Sequence, residues 1–213
     1  MNTIITIGRE FGSGGHKIGA ALAEAFGIPI YDRELLDHAA QESGICKEIF
    51  ENQDEKPTSS FLYSLVMDTY SFGYSSHMVN EMPLNQKVFL AQFNSIKKLA
   101  DEGPCIFVGR CADYALADRS DVLSIFVHAD LDLRIRRIAK HYELTDNKAR
   151  DRIVRTDKQR ASYYNYYTSK KWSEAESYDL CIDSGLYGLD GSVSLIKEAV
   201  RIKEEGPSHP IFE

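Results

Sequence analysis

Positive charge is in short supply in this 213-residue chain, which carries 25 Lys and Arg against 32 Asp and Glu, a net charge of −7. That balance argues against bulk attraction to nucleic acid or to an anionic membrane surface. No apolar run approaches the length of a membrane span. The N-terminus, Met1-Asn2-Thr3, lacks the basic start and long apolar stretch of a signal peptide. Cysteine is sparse: Cys46, Cys105, Cys111 and Cys181 have no Cys-x-x-Cys spacing, and Cys105 and Cys181 sit in apolar runs as small core residues. A reducing cytoplasm is the expected setting. His38, His77, His128 and His141 have no partner spacing for a metal and read as structural or surface residues.

What positive charge there is lies in one place. Residues 130–171 hold 12 of the 25 basic residues and 6 of the 32 acidic ones, so this block is +6 and the remainder −13. A basic block in an acidic chain points to a bound anion; the plainer alternative is a solvated helix face with i,i+4 pairs. Five short apolar runs bounded by Gly, Asp or Pro read as strands: Thr3–Ile7, Pro29–Tyr31, Cys105–Val108, Val122–Val127 and Leu180–Ile182. Such runs suit a parallel sheet covered on both faces. Helical patterns lie between them at Gly14–Phe26, Gln86–Asp101, Leu131–Tyr142, Asp146–Arg160 and Gly191–Lys203. The alternation predicts a doubly wound α/β fold, and the length suits one domain with an insertion. Two regions interrupt it. Residues 44–85 read as an inserted segment, and 130–172 is the basic block, ending in Tyr163-Tyr164-Asn165-Tyr166-Tyr167. The tail from Glu204 reads as disordered.

Between the first strand and the first helix lies Gly8-Arg9-Glu10-Phe11-Gly12-Ser13-Gly14-Gly15-His16-Lys17. Strand, glycine loop and helix are the layout of a phosphate cradle. Glycines let backbone N–H groups converge, and the helix N-terminus adds partial positive charge. The P-loop pattern Gly-x-x-x-x-Gly-Lys-Ser/Thr is only partly met. With Gly14 as its last glycine, Arg9 stands for the leading one, Gly15 falls in the Lys slot, and His16 replaces the hydroxyl that usually binds Mg²⁺. Lys17 lies two positions past the slot, turned by about 200° at roughly 3.6 residues per turn. Arg9 or a lid arginine is the better source of the missing charge. Ser13 is expected to close the turn with its hydroxyl. A dinucleotide site would need a third glycine where Lys17 stands and a tighter turn than Arg9-Glu10-Phe11 permits, so it ranks below the phosphate cradle.

Landmarks follow the first three strands in order: the glycine loop, then Tyr31-Asp32-Arg33, then Val108-Gly109-Arg110, with the basic helices beyond. Together they resemble the nucleoside monophosphate kinases. The run Arg9–Gly15 resembles the opening loop of the cytidylate kinase-like family. The resemblance covers residues 3 to 199 and is weakest over 44–85. It implies a three-layer α/β fold of the P-loop NTPase type: a five-stranded parallel sheet with helices on both faces, within a single domain, 1–213. A helical acceptor-side insertion at 44–85 and a helical lid at 130–172 would complete it. The resemblance further implies ATP-dependent, Mg²⁺-assisted phosphoryl transfer to a nucleoside monophosphate, with CMP or dCMP the first acceptor to test. Small nucleotides would be the partners, with neither nucleic acid nor membrane; a homodimer is left open.

The same resemblance places ATP phosphates on Arg9, Gly12, Ser13, Gly14, Gly15, His16 and Lys17. It places the acceptor on Asp32, Arg33, Arg110, Asp157 and Arg160. Arg110 matches the arginine of the family's Asp-Gly-Arg-Asp motif, whose acids are replaced here by Val108 and Cys111, with Asp113 a substitute acid. Asp157-x-x-Arg160 matches an Asp-x-x-Arg element in which the acid reads the base edge and the arginine holds phosphate. Arg110, Arg155 and Arg160 would carry catalysis, with Lys148, Arg152, Arg155 and Lys158 as the closing face of the lid; the metal ligands are unassigned. As residues alone, Asp32 is equally a helix N-cap, any one lid cation a solvated charge, and the tyrosine cluster packing. Two rival functions stand beside the kinase. One is a degenerate module that binds nucleotide without catalysis; the other is a kinase for another small phosphate acceptor, because the scaffold does not fix the acceptor.

Overall fold

The computed structural model describes residues 1–32, 41, 43–44 and 84–206. Arg33, His38 and the 44–85 insertion, apart from Gly44, Leu84 and Asn85, lie outside the described residues, as does the chain from Pro207. Strand β1 (Ile4–Arg9) leads through the glycine loop into α1 (Gly15–Phe26), and β2 (Ile30–Tyr31) follows. After the insertion come α2 (Leu84–Asp101), β3 (Ile106–Val108), the short α3 (Ala112–Ala115) and β4 (Val122–His128). The helix pair α4 (Leu131–Tyr142) and α5 (Asp146–Thr168) precedes β5 (Leu180–Asp183) and α6 (Ser184–Glu205). The five strands form one parallel sheet in the order β2-β3-β1-β4-β5. Because β3 and β4 flank β1 on opposite sides, a crevice opens at the carboxyl end of β1, where such sheets bind ligands.

Side-chain alternation divides the core between two layers. Ile5, Ile7, Ile106, Val108, Ile125 and Val127 pack with Ile18 and Leu22 of α1 and Ile196 and Val200 of α6. On the other face, Ile4, Phe107 and Val122 pack with Ile96 and Leu99 of α2 and Leu116. Both faces are therefore apolar, which is why the strands read as continuous hydrophobic runs. Each fully buried Ile or Leu contributes about 1.5–3 kcal/mol through removal from water.

Several boundaries differ from the sequence reading, each for a tertiary reason. Strand β1 continues past Ile7, because Gly8 and Arg9 pair with Phe126 and Val127 of β4. Arg9 is thus the last strand residue and not a loop residue. Helix α5 runs past Arg160 through the tyrosine cluster. Tyr163, Tyr164 and Tyr167 are buried with Phe89, Leu90 and Cys111, and Tyr167 stacks on Phe89 with ring centroids 3.9 Å apart. That burial outweighs the modest helix propensity of Tyr. Helix α6 is two helical stretches, the first beginning at Ser184, ahead of Gly191, and capped by the Asp183 carboxylate, which accepts from the N–H groups of Gly185 and Leu186. It kinks at Gly188, whose φ of 66° is left-handed. Glu204 and Glu205 belong to this helix. Glu204 accepts from the Asn2 and Thr3 N–H groups, which ties it to the start of β1. Among the described residues no helix is long and apolar enough to cross a membrane.

Candidate active site

The loop from Glu10 to Gly14 turns at the carboxyl end of β1 and is held by hydrogen bonds from all sides. Ser13 is fully buried, and its Oγ donates to the Glu10 carbonyl at 2.9 Å, closing the turn. Gly12 has φ 85°, and a Cβ there would also meet Ile138 Cγ1 at 3.0 Å and Arg134 Cβ at 3.2 Å. Glycine is therefore required twice over, by backbone and by space. Arg137 of α4 donates to the Gly12 and Ser13 carbonyls at 3.3 and 3.1 Å. The Ser184 hydroxyl also donates to the Ser13 carbonyl. With its carbonyls drawn toward Arg137 and Ser184, the loop leads into the first turn of α1. There the N–H groups of Gly15, His16 and Lys17 precede the first intrahelical bond, made by Ile18 to the Gly14 carbonyl. Those amides stand where the sequence places a phosphate cradle.

Ion pairs and hydrogen bonds centred on Asp157 and Arg134 brace this loop to the basic helices. Asp157 of α5 accepts from the Phe11 N–H at 2.7 Å through one oxygen and from Arg134 at 2.6 Å through the other. Arg134 is buried, donates to the Ala129 carbonyl at 3.0 Å and lies 3.4 Å from the Glu10 carboxylate. Burial pushes the Glu10 carboxyl up, against the pull of the Ala129 N–H and Arg134. Phe11 packs on the apolar seam of α4 and α5, formed by Ile135, Ile138, Ala149 and Ile153.

After β3 the chain makes an unusual turn. Gly109, Arg110 and Cys111 take φ values of 80°, 55° and 56°. A non-glycine residue in that region costs about 1–2 kcal/mol, and the turn drives Arg110 inward. Its guanidinium ion-pairs with Asp32 and donates to the Val108 carbonyl at 2.9 Å. Burial alone would raise the Asp32 carboxyl. Arg110, Arg9 and His16 together outweigh that and hold it below its usual range. His16 Nε2 lies 3.6 Å from the second Asp32 oxygen.

The loop, the start of α1, Asp32, Arg137, Lys140, His141, Arg160 and the Gly188 kink enclose a cavity of about 1020 Å³. Five of its lining residues, Arg9, Lys17, Arg137, Lys140 and Arg160, are cationic, against the acids Glu10 and Asp32. Of the residues expected from sequence, Arg9, Gly12 to Lys17, Asp32 and Arg160 line this cavity. Arg110 stands behind Asp32 and lines a small void beneath it, with Arg9, Arg160 and Asp113. Asp113 accepts from the Tyr164 hydroxyl at 2.6 Å, and burial pushes its carboxyl up.

Other expected residues are placed elsewhere. Asp157 directs both oxygens to Phe11 and Arg134, so in this arrangement it braces the loop and presents no edge to an acceptor. Arg152 lies over the Tyr142 ring at 3.8 Å. Lys148, Arg155 and Lys158 are exposed and line neither cavity. Arg134, Arg137, Lys140 and Ser184 are not singled out by the sequence, and His141, read there as structural or surface, lines the cavity. Their only signal was membership of the basic block, at i,i+3 spacing along α4 for the cations, and the Asp183-Ser184 step after β5.

A parallel sheet of this order, with a glycine cradle at the carboxyl end of β1 and a cationic helix pair over it, defines a protein with the P-loop kinase fold. The sequence signature of the Cytidylate kinase-like family matches residues 4–186, and the chain belongs to that family. It is 24% identical over 209 residues to a cytidylate kinase of Methanopyrus kandleri, spanning 94% of each chain. A solved structure of a protein from Eubacterium ventriosum superposes with a TM-score of 0.70 at 29% identity, over 93% of this chain and 98% of that one. A shikimate kinase from Bacteroides thetaiotaomicron shares the fold, with a TM-score of 0.53 at 14% identity, over 94% and 99% of the two chains. Family and fold support a phosphotransferase acting on nucleotides or small molecules.

Proposed function

We propose that the protein transfers the γ-phosphoryl group of ATP to a nucleoside monophosphate, with CMP or dCMP the first acceptor to test. The observation that carries this reading is the single cavity into which the α1 amides, Arg137, Lys140 and Arg160 all converge, with the Asp32–Arg110 pair at its edge. Phosphoryl transfer asks little covalent help of a protein; it asks for in-line positioning and for positive charge around the moving oxygens. An acceptor phosphate oxygen attacks the γ-phosphorus, and the bond to the bridging oxygen of ADP breaks. The amides at the start of α1 would hold the donor chain, and Arg160 would reach the group in transit. Arg110, aimed by its left-handed turn, would anchor the acceptor phosphate. Lys148, Arg155 and Lys158 would be the outward charges of the lid, brought over the phosphates on closure.

Mg²⁺ when bound neutralises the charge shared by the donor oxygens. It usually takes one or two protein carboxylates beside the phosphates and waters. Asp32, ionised and on the cavity wall, fits that need; the Ser13 hydroxyl, turned onto Glu10, does not. Coupled-assay turnover across a panel of nucleoside monophosphates tests the proposal. Folded protein that turns over none of them overturns it. Arg110→Ala is expected to raise the acceptor KM by a larger factor than Lys17→Ala raises the ATP KM.

A second reading rests on the altered loop. With Gly15 and His16 in the Lys and hydroxyl slots, the protein would bind nucleotide without turning it over. Calorimetry with ATP and with a slowly hydrolysed analogue separates the two, since a binding module consumes neither.

A further inference from the structure

The space that a P-loop lysine would need is filled from the opposite side of the loop. Gly15 opens α1, and a Cβ at this position would lie 2.6 Å from Cβ of Arg9 and 3.2 Å from its Cγ. No side chain fits at that distance. The obstructing Cβ cannot swing aside, because Arg9 is paired with Val127 as the last residue of β1. Arg9 is only 9% exposed, yet it lines both the large cavity and the void under it, and its charge acts on Asp32.

We propose that Arg9 and Gly15 are a reciprocal pair, in which Arg9 supplies from the end of β1 the donor-phosphate charge that a lysine would supply from the start of α1. Gly15 is then glycine because the stem of Arg9 occupies its side-chain space. The inference rests on the kinase reading and assigns the donor-binding cation of that same site. A guanidinium on a strand end suits the role: it stays charged, and it offers a planar fork of donors to phosphate oxygens. Its placement near Asp32 puts that charge between the donor chain and the acceptor side of the cavity.

The test is calorimetry of a slowly hydrolysed ATP analogue with Mg²⁺ on the full chain, paired with denaturant unfolding. Arg9→Met keeps the stem and removes the charge; it is expected to cost some stability through the lost attraction to Asp32, to remain folded in the unfolding assay, and to weaken analogue binding by about tenfold or more, the usual effect of losing a hydrogen bond to a charged group. Gly15→Lys alone is expected to bind poorly or fold poorly. Combined with Arg9→Gly, which removes the obstructing Cβ, it is expected to recover binding to within about tenfold of the unaltered protein, the non-additivity of residues in contact. For the packing half, Gly15→Ala should destabilise the unaltered protein and not the Arg9→Gly background. Unchanged binding by Arg9→Met, or a double variant no better than Gly15→Lys, overturns the role given to Arg9 while leaving the kinase reading intact. An unaltered protein that binds no analogue overturns both.

Discussion

Asp32 and Asp113 are both largely buried carboxyls near Arg110, and their surroundings push them in opposite directions. For Asp32, burial is the largest single influence, but Arg110, Arg9 and His16 together outweigh it, so its folded value lies below the unfolded one of about 3.9. Such a group stabilises fully above the unfolded value and loses that contribution as pH falls through the folded one. Removing the partner from a buried pair costs about 3–5 kcal/mol. Arg110→Met should accordingly lower unfolding stability at neutral pH by about 3 kcal/mol, and its acid loss of stability should shrink, as read from urea titrations at stepped pH. Asp113 runs the other way. Burial raises its carboxyl above the unfolded value, so the folded state holds the proton more tightly and stability declines as pH rises through the acid range. Asp113→Asn keeps an acceptor for the Tyr164 hydroxyl and removes the buried charge. Its stability at pH 7 should equal or exceed that of the parent, and the decline with rising pH should disappear from the same titrations.

At the scale of elements, the cradle is a loop held in place by two helices that are distant in sequence. Arg137 of α4 ties the Gly12 and Ser13 carbonyls to Ser184 at the start of α6. Its removal leaves the loop intact in sequence but free to shift, and small displacements of positioned groups are costly in phosphoryl transfer. Arg137→Ala is therefore expected to raise the ATP KM by about tenfold, the worth of a charged hydrogen bond, with a smaller change in the acceptor KM. Steady-state kinetics with each substrate varied in turn will show the split. Helix α5 serves two purposes along its length. Its middle meets the loop through Asp157 and the end of β1 through Arg160, and its last turns are core, through Tyr163 and Tyr167 against Phe89. The basic block is therefore loop bracing and core packing as well as exposed charge.

Across the whole molecule, a net charge of −7 coexists with a cavity whose lining, among the described residues, holds five cations and two acids. On the proposed function, an anionic substrate would be repelled by most of the surface and drawn toward this cavity, an attraction whose long-range part is screened by salt over roughly 10 Å at 0.1 M. The kcat/KM for nucleotide should fall several-fold as salt rises from about 0.05 to 0.5 M, with kcat less affected; a flat profile would count against the cavity as the entry. Much of the fold was legible beforehand. The five apolar runs and the glycine loop act over a few residues, where periodicity and backbone freedom are local properties, so the sequence by itself determined the parallel sheet, the cradle and the concentration of positive charge. The tertiary structure decided which of those charges reach the cavity. Asp157 meets Phe11 across 146 residues, and Arg137 meets Ser13 across 124; no spacing rule encodes such meetings. Likewise the exchange of Lys for Gly15 becomes intelligible only when β1 brings the stem of Arg9 to within 2.6 Å of where its side chain would start, because close packing excludes a second group from occupied space.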